Sequence, residues 1–227
     1  MSRIARVVIP GRPHHVTQRG NRRQRVFFAD DDYSLYLKLL HKYFAKYQID
    51  MPGYCLMPNH SHEIAIPLLK TSLAKGVGIL HNDFSRWQNI QRDQSGHLWQ
   101  NRFFSNPMDD DYFWLALRYI ELNPVRAGLV LYPWDWSWSS ARAHVTGHDD
   151  SGLLHMDIWR SRFNGSQWKE FLKEGMKAEP EIDRIRQAVI TGRPLGSDDF
   201  VRQLELQTGR YLLPRKRGRK SGSKRGS

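Results

Sequence analysis

Two histidines with one residue between them, His60 and His62, and a tyrosine four residues before an asparagine, Tyr119 and Asn123, offer metal-ligating and nucleophilic groups at short, regular intervals. The histidines lie in Tyr54-Cys55-Leu56-Met57-Pro58-Asn59-His60-Ser61-His62-Glu63-Ile64-Ala65-Ile66, whose apolar flanks read as a strand. Strand side chains alternate faces, so His60 and His62 point the same way, about 6.5–7 Å apart, and Ser61 and Glu63 point the other way. Two imidazoles on one face can close on a divalent ion. Tyr119 and Asn123 share a helix face if the helix persists that far. A tyrosine can supply a nucleophilic phenolate, but its free pKa near 10 calls for a metal or base beside it. Asn123 could add an oxygen ligand, and a metal so held would polarise a scissile phosphate. The plainer alternatives are a chance His-x-His among ten histidines, a core role for Tyr119, and Asn123 as a C-cap before Pro124.

The elements that must position these residues follow from period and punctuation. Residues 4–9 and 14–19 read as short extended segments around Pro10, Gly11 and Pro13. Asp30, Asp31 or Asp32 can cap a helix carrying Tyr33, Tyr36, Leu37, Leu40, Tyr43, Phe44 and Tyr47 at helical spacing. Asp50-Met51-Pro52-Gly53 breaks the chain before the histidine strand, which stops near Pro67. Residues 70–92 read as a helix, 98–104 as a strand ended by Asn106-Pro107, and 109–122 as the helix of Tyr119. This is an α/β (α+β) sandwich, one sheet with helices packed on it. Trp134, Trp136 and Trp138 could line one face of an extended segment and stack bases, or pin that loop to the core. After a polar linker at 147–152, three helical segments follow at 166–172, 180–190 and 198–206.

A formal net charge of +12 points to a polyanion, most simply nucleic acid. No apolar run approaches the roughly 20 residues needed to span a bilayer, and no secretory leader is evident, so a cytoplasmic protein is expected. A lone cysteine, Cys55, excludes an internal disulfide and reads as a small core residue. Residues 3–25 carry seven arginines and no acid, among them Arg19, Arg22, Arg23 and Arg25. The last 13 residues carry another seven basic side chains, beginning with Arg215, Lys216 and Arg217, and read as a disordered phosphate-binding arm.

Longer motifs carry a resemblance. They are His15-Val16-Thr17-Gln18-Arg19-Gly20-Asn21, Met57-Pro58-Asn59-His60-Ser61-His62, Gly96-His97-Leu98-Trp99-Gln100-Asn101-Arg102-Phe103, and the run from Arg118-Tyr119-Ile120-Glu121-Leu122-Asn123-Pro124 to Val130. Trp138-Ser139-Ser140, Gly192-Arg193-Pro194-Leu195-Gly196 and Gly209-Arg210 extend it. In these the chain resembles, nearly end to end, the REP-associated tyrosine transposases, relatives of the single-tyrosine insertion-sequence transposases of the HUH superfamily.

The resemblance implies an RRM/ferredoxin-like catalytic domain over 1–148 with an antiparallel-rich central sheet, a helical extension over 149–213 and a basic tail over 214–227. It implies Tyr119 as nucleophile and His60, His62 and Asn123 around Mg²⁺ or Mn²⁺. Tyr119 would attack a phosphodiester in single-stranded DNA, giving a 5′-phosphotyrosine and a free 3′-OH that can reverse the step. The substrates implied are palindromic hairpins with a short tetranucleotide at the foot, in the nucleoid of a bacterium. Arg19, Arg22, Arg23, Arg25, Arg102 and Arg126 would meet phosphates, and Trp99 or Trp138 would stack a base. A monomer is expected, without an obligate protein partner, although insertion-sequence relatives resemble dimers that exchange tyrosine helices. Glu63 departs from the family, which usually has an apolar residue there; pointing away from the metal, it needs a partner, since a buried bare charge is costly. The rival reading is a hairpin-binding protein without chemistry; a decayed copy would be expected to lack one of the four site residues, and all four are present.

Overall fold

The computed structural model describes residues 6–177 and 181–213. The basic tail, with Arg215, Lys216 and Arg217, lies outside the described residues. Four strands, β1 (His14–Arg19), β2 (Ile49–Met57), β3 (His60–Pro67) and β4 (Phe104–Pro107), form one sheet in the order β2-β3-β1-β4, every neighbour antiparallel. Helix α1 (Asp30–Lys46) follows β1 and α2 (Ser72–Gln91) follows β3. That βαββαβ succession with β1 and β3 central is the ferredoxin-like arrangement. Helices α3 (Asp110–Glu121), α4 (Asn123–Arg126), α5 (Ala141–Thr146), α6 (Met156–Arg160), α7 (Gly165–Glu174), α8 (Glu181–Thr191) and α9 (Asp198–Thr208) follow. Among the described residues no helix is long and apolar enough to cross a membrane.

Strand alternation sorts the core into two layers. Tyr54, Leu56 and Ala65 face α1 and α2, where Tyr36, Leu40, Phe44, Leu73 and Phe84 close the layer. Cys55, Met57 and Ile64 face the opposite side, against Ala116, Leu117 and Ile120 of α3 and Trp159, Trp168 and Leu172 beyond it. Asp32 closes the start of α1 by accepting from the backbone N–H groups of Phe28 (2.5 Å) and Ala29 (3.1 Å). Asp109 caps α3 by accepting from Tyr112 N at 3.0 Å, and its other oxygen accepts from Ser197 N at 2.8 Å. Helix α3 sits tight on β2: a Cβ on Gly53 would meet Leu117 Cδ1 at 2.2 Å.

Three expectations change. The stretch 54–66 is a hairpin of two strands with Pro58-Asn59 at its turn, because Pro58 and Asn59 supply turn chemistry inside an otherwise apolar run. The break expected at 50–53 lies inside β2 as a register shift between Asp50 and Gly53. The strand expected at 98–104 begins only at Phe104 and runs through Pro107; 98–103 is a loop held to the end of β1 and the turn after it, with Gln100 N donating to Arg19 O (2.9 Å), Gln18 Nε2 to Asn101 O (2.7 Å) and Asn21 N to Leu98 O (2.7 Å). Pro107 is tolerated because β4 is the sheet edge. A short helix, α6, adds to the three helical segments read in the extension after the 147–152 linker.

Candidate active site

Antiparallel pairing of β1 with β3 builds the site floor. Thr17 lies opposite His62 and Arg19 opposite His60, so four side chains share the face that α3 covers. The His60 and His62 rings stand 4.8 Å apart between centroids. Tyr119, near the end of α3, faces them with its ring 6.1 Å from His62 and 6.2 Å from His15. Thr17, Arg19, His60, His62, Tyr119, Asn123 and Arg126 line one cavity of about 540 Å³, and Arg186 of α8 forms part of its wall.

Burial holds the imidazoles neutral. His60 is lowered to about 3, chiefly by desolvation and then by Arg19 and His15. His62 is lowered well below its ordinary value by the same burial, with His60, His15, Arg19 and Arg126 adding to it. A neutral imidazole keeps a lone pair for a metal. His60 Nδ1 sits 2.6 Å from Asn59 Oδ1. His62 Nδ1 sits 2.8 Å from His15 Nε2 and 3.2 Å from Thr17 Oγ1. Among the described residues neither Nε2 has a hydrogen-bond partner.

Arg126 holds the other half of the site. Its guanidinium lies 4.3 Å from the centre of the Tyr119 ring, donates to the Tyr119 carbonyl, and donates to Asn123 Oδ1 at 3.0 Å. The asparagine oxygen therefore offers a cation its second lone pair only. Asn123 lies at the start of α4, one helical turn beyond Tyr119. Among the described residues no three His, Cys, Asp or Glu side chains meet in metal-binding geometry; the donors here are two imidazoles and an amide. Such a set fits a divalent ion at the histidines and fits it less well at Asn123 while Arg126 occupies it.

The remaining basic and aromatic residues are spread out. Arg22, Arg23 and Arg25 are exposed on the turn after β1, where Arg22 and Arg23 adopt positive φ of 50° and 64°. Trp99 and Arg102 line a separate cavity of about 1120 Å³ that meets the first at Gln100. The Trp99 indole N–H donates to the His81 carbonyl at 3.1 Å. Trp138 is stacked on Tyr33 at 4.7 Å, and the Trp136 indole N–H donates to the Leu56 carbonyl at 2.9 Å. The loop-pinning alternative describes both.

His15, Thr17 and Arg186 were not anticipated as site residues. His15, Thr17 and Arg19 alternate on one strand, which was a usable signal, but which strand they oppose is a matter of register. Arg186 comes from a helix more than 60 residues beyond Tyr119.

Comparison with known proteins follows this geometry. The profile of the family described as "Transposase IS200 like" matches residues 12–123, a span that includes His60, His62, Tyr119 and Asn123. A protein of Haemophilus influenzae, named as a candidate REP-associated tyrosine transposase, is 30% identical over 111 residues, 44% of this chain and 62% of its own length. A solved REP-associated tyrosine transposase bound to a REP hairpin superposes with a TM-score of 0.52 at 21% identity, over 69% of this chain and 90% of the other. That likeness is one of fold.

Proposed function

We propose that the chain, whose residues 12–123 match the IS200-like transposase family, is a single-tyrosine HUH transposase of the REP-associated kind that cleaves and rejoins single-stranded DNA beside palindromic hairpins through Tyr119. The observation that carries this reading is the Tyr119 ring set across one cavity from the His60 and His62 pair. Tyr119 Oη attacks the phosphorus; the bond from phosphorus to the 3′ oxygen breaks as the phenol–phosphorus bond forms. The phenol proton leaves to solvent and the departing 3′ oxygen takes one up. The products are a 5′-phosphotyrosine on the downstream strand and a free 3′-OH upstream, and reversal rejoins the strand without a nucleotide cofactor.

His60 and His62, with Asn123 as a weaker third donor, would hold Mg²⁺ or Mn²⁺. When bound, such an ion supplies Lewis-acid polarisation of the scissile phosphate. Arg126 orients the nucleophile by lying over its ring and gripping the carbonyl of the same residue. Arg19, beside His60, is placed to receive a phosphate oxygen. The exposed arginines at 22, 23 and 25 suit the phosphates of a hairpin stem.

The test is a denaturing gel of the protein mixed with 5′- and 3′-labelled single strands carrying a palindrome from its own genome, with Mn²⁺ or EDTA. The expected result is a metal-dependent, SDS-resistant adduct on the fragment downstream of the cut, absent in Tyr119→Phe, while hairpin binding persists. Tight hairpin binding with no adduct under any metal would replace this reading with that of a binding protein.

A further inference from the structure

We infer that Asn59 is a positioning residue that sets which nitrogen of His60 is offered to the catalytic cavity. Arg23 sits in the turn after β1, and that turn is locked to the β2–β3 hairpin by Gly20 N donating to Asn59 O (2.9 Å) and Val26 N donating to Pro58 O (2.8 Å). The Arg23 carbonyl therefore has a fixed place, and it accepts from Asn59 Nδ2 at 3.2 Å. A carbonyl can only accept, so the amide of Asn59 must present its nitrogen to Arg23. Its oxygen then faces His60 Nδ1 at 2.6 Å. An amide oxygen can also only accept, so His60 Nδ1 must carry the hydrogen. The lone pair of the neutral ring is left on Nε2, the nitrogen without a partner among the described residues, on a side chain that lines the cavity.

His62 has no such lock. Its Nδ1 neighbours, His15 Nε2 and Thr17 Oγ1, can each donate or accept. His60 is thus the one member of the pair whose tautomer follows from geometry alone. A second hydrogen bond that fixes ring orientation and tautomer is the usual way a protein tunes a histidine ligand, and its loss typically costs about 10–100-fold in metal affinity. Asn59 also joins that ligand to the arginine-bearing turn, since one amide holds both. The inference rests on the metal-dependent reading above only for what His60 is positioned to bind.

The experiment uses the full chain, ¹⁵N-labelled at histidine, with the His60 signals assigned by their loss in His60→Ala. Long-range ¹H–¹⁵N spectra of the metal-free protein report the tautomer, and titration with Mn²⁺ alone reports affinity. Wild type is expected to show His60 protonated at Nδ1. Asn59→Asp keeps an acceptor there and is expected to keep both the tautomer and Mn²⁺ affinity. Asn59→Leu removes the acceptor and is expected to lose the Nδ1–H form and to bind Mn²⁺ about 10–100-fold more weakly. Wild-type His60 protonated at Nε2, or an Asn59→Leu protein with unchanged tautomer and affinity, overturns the assignment. If Asn59→Leu does not fold, the wild-type and Asn59→Asp spectra decide alone. A wild-type protein with the expected tautomer but no Mn²⁺ binding would sink the metal-dependent reading and leave the role of Asn59 standing.

Discussion

Strand β3 presents polar side chains to both faces of the sheet, and the two faces treat them differently. Toward α3, His60 and His62 open on a cavity, and their Nε2 atoms have no partner among the described residues. Toward α1 and α2, Ser61 and Glu63 are sealed in. There the Tyr36 hydroxyl donates to Glu63 Oε1 at 2.9 Å and lies 2.9 Å from His81 Nε2 and 3.0 Å from Ser61 Oγ. Glu63 thereby finds a partner; burial pushes its carboxyl up to about 7, so it titrates near neutrality. A polar cluster that is enclosed and bonded largely within itself is a structural device, whereas one that lines an open cavity has donor atoms left for a ligand.

The largest effects should separate the two faces by activity. His60→Ala and His62→Ala are each expected to lower adduct formation by more than about 10²-fold and to lose Mn²⁺ binding, with the melting temperature nearly unchanged. A large drop in melting temperature would mean that the open face is structural too.

Next is the scaffold behind the nucleophile. Glu121, two residues after Tyr119, accepts at Oε1 from Ser140 Oγ (2.5 Å) and His144 Nδ1 (2.6 Å), and at Oε2 from Trp168 Nε1 (2.8 Å). Trp168→Ala removes a fully buried indole and bares one carboxylate oxygen, so urea unfolding should show a loss of about 3–5 kcal/mol. A loss below about 1 kcal/mol would show that α7 is not part of the nucleophile's support.

On the sealed face, Tyr36→Phe leaves Glu63 and His81 without their shared hydroxyl. It should cost roughly 1–3 kcal/mol while leaving nicking within a few-fold of wild type, measured by the same unfolding and gel assays. Nicking lost out of proportion to stability would join the two faces functionally.

The last effect is in pH, where oppositely signed contributions partly cancel. His14 and His15 are lowered to about 4, and His60 and His81 to about 3, all first by burial. Their unfolded forms take up protons at higher pH than the folded ones, so metal-free stability rises with pH across about 3 to 6.5 and is lost on acidification. Glu63 runs the other way: the folded state holds its proton up to about 7 against an ordinary 4.5, so its contribution falls as pH rises through that window, by up to about 1.4 kcal/mol per pH unit. Glu63→Gln should therefore steepen the acid loss and improve stability above pH 7. An unchanged pH profile of the melting temperature would mean that Glu63 takes up its proton in the fold at the same pH as in the unfolded chain.

Local signals carried much of this. Tyr33, Tyr36, Leu40 and Phe44 recur as one stripe, and α1 has that buried face. Period-2 alternation put His60 and His62 on one side and Glu63 on the other, as found. Where local signals competed, reading failed: Pro58-Asn59 turns a run that looked continuous, and Trp99 to Phe103 has strand composition but lies in a loop.

By itself the sequence determined the residue types of the site, their order along the chain and the faces they occupy, because residue type, helical period and strand alternation are properties of neighbours. Only the tertiary structure decided that Thr17 faces His62, that Asn59 bridges Arg23 and His60, that Arg126 lies over Tyr119, and that α8 walls the cavity. Those depend on strand register and on packing between distant segments, where shifting one strand by a single residue would exchange the open face for the sealed one.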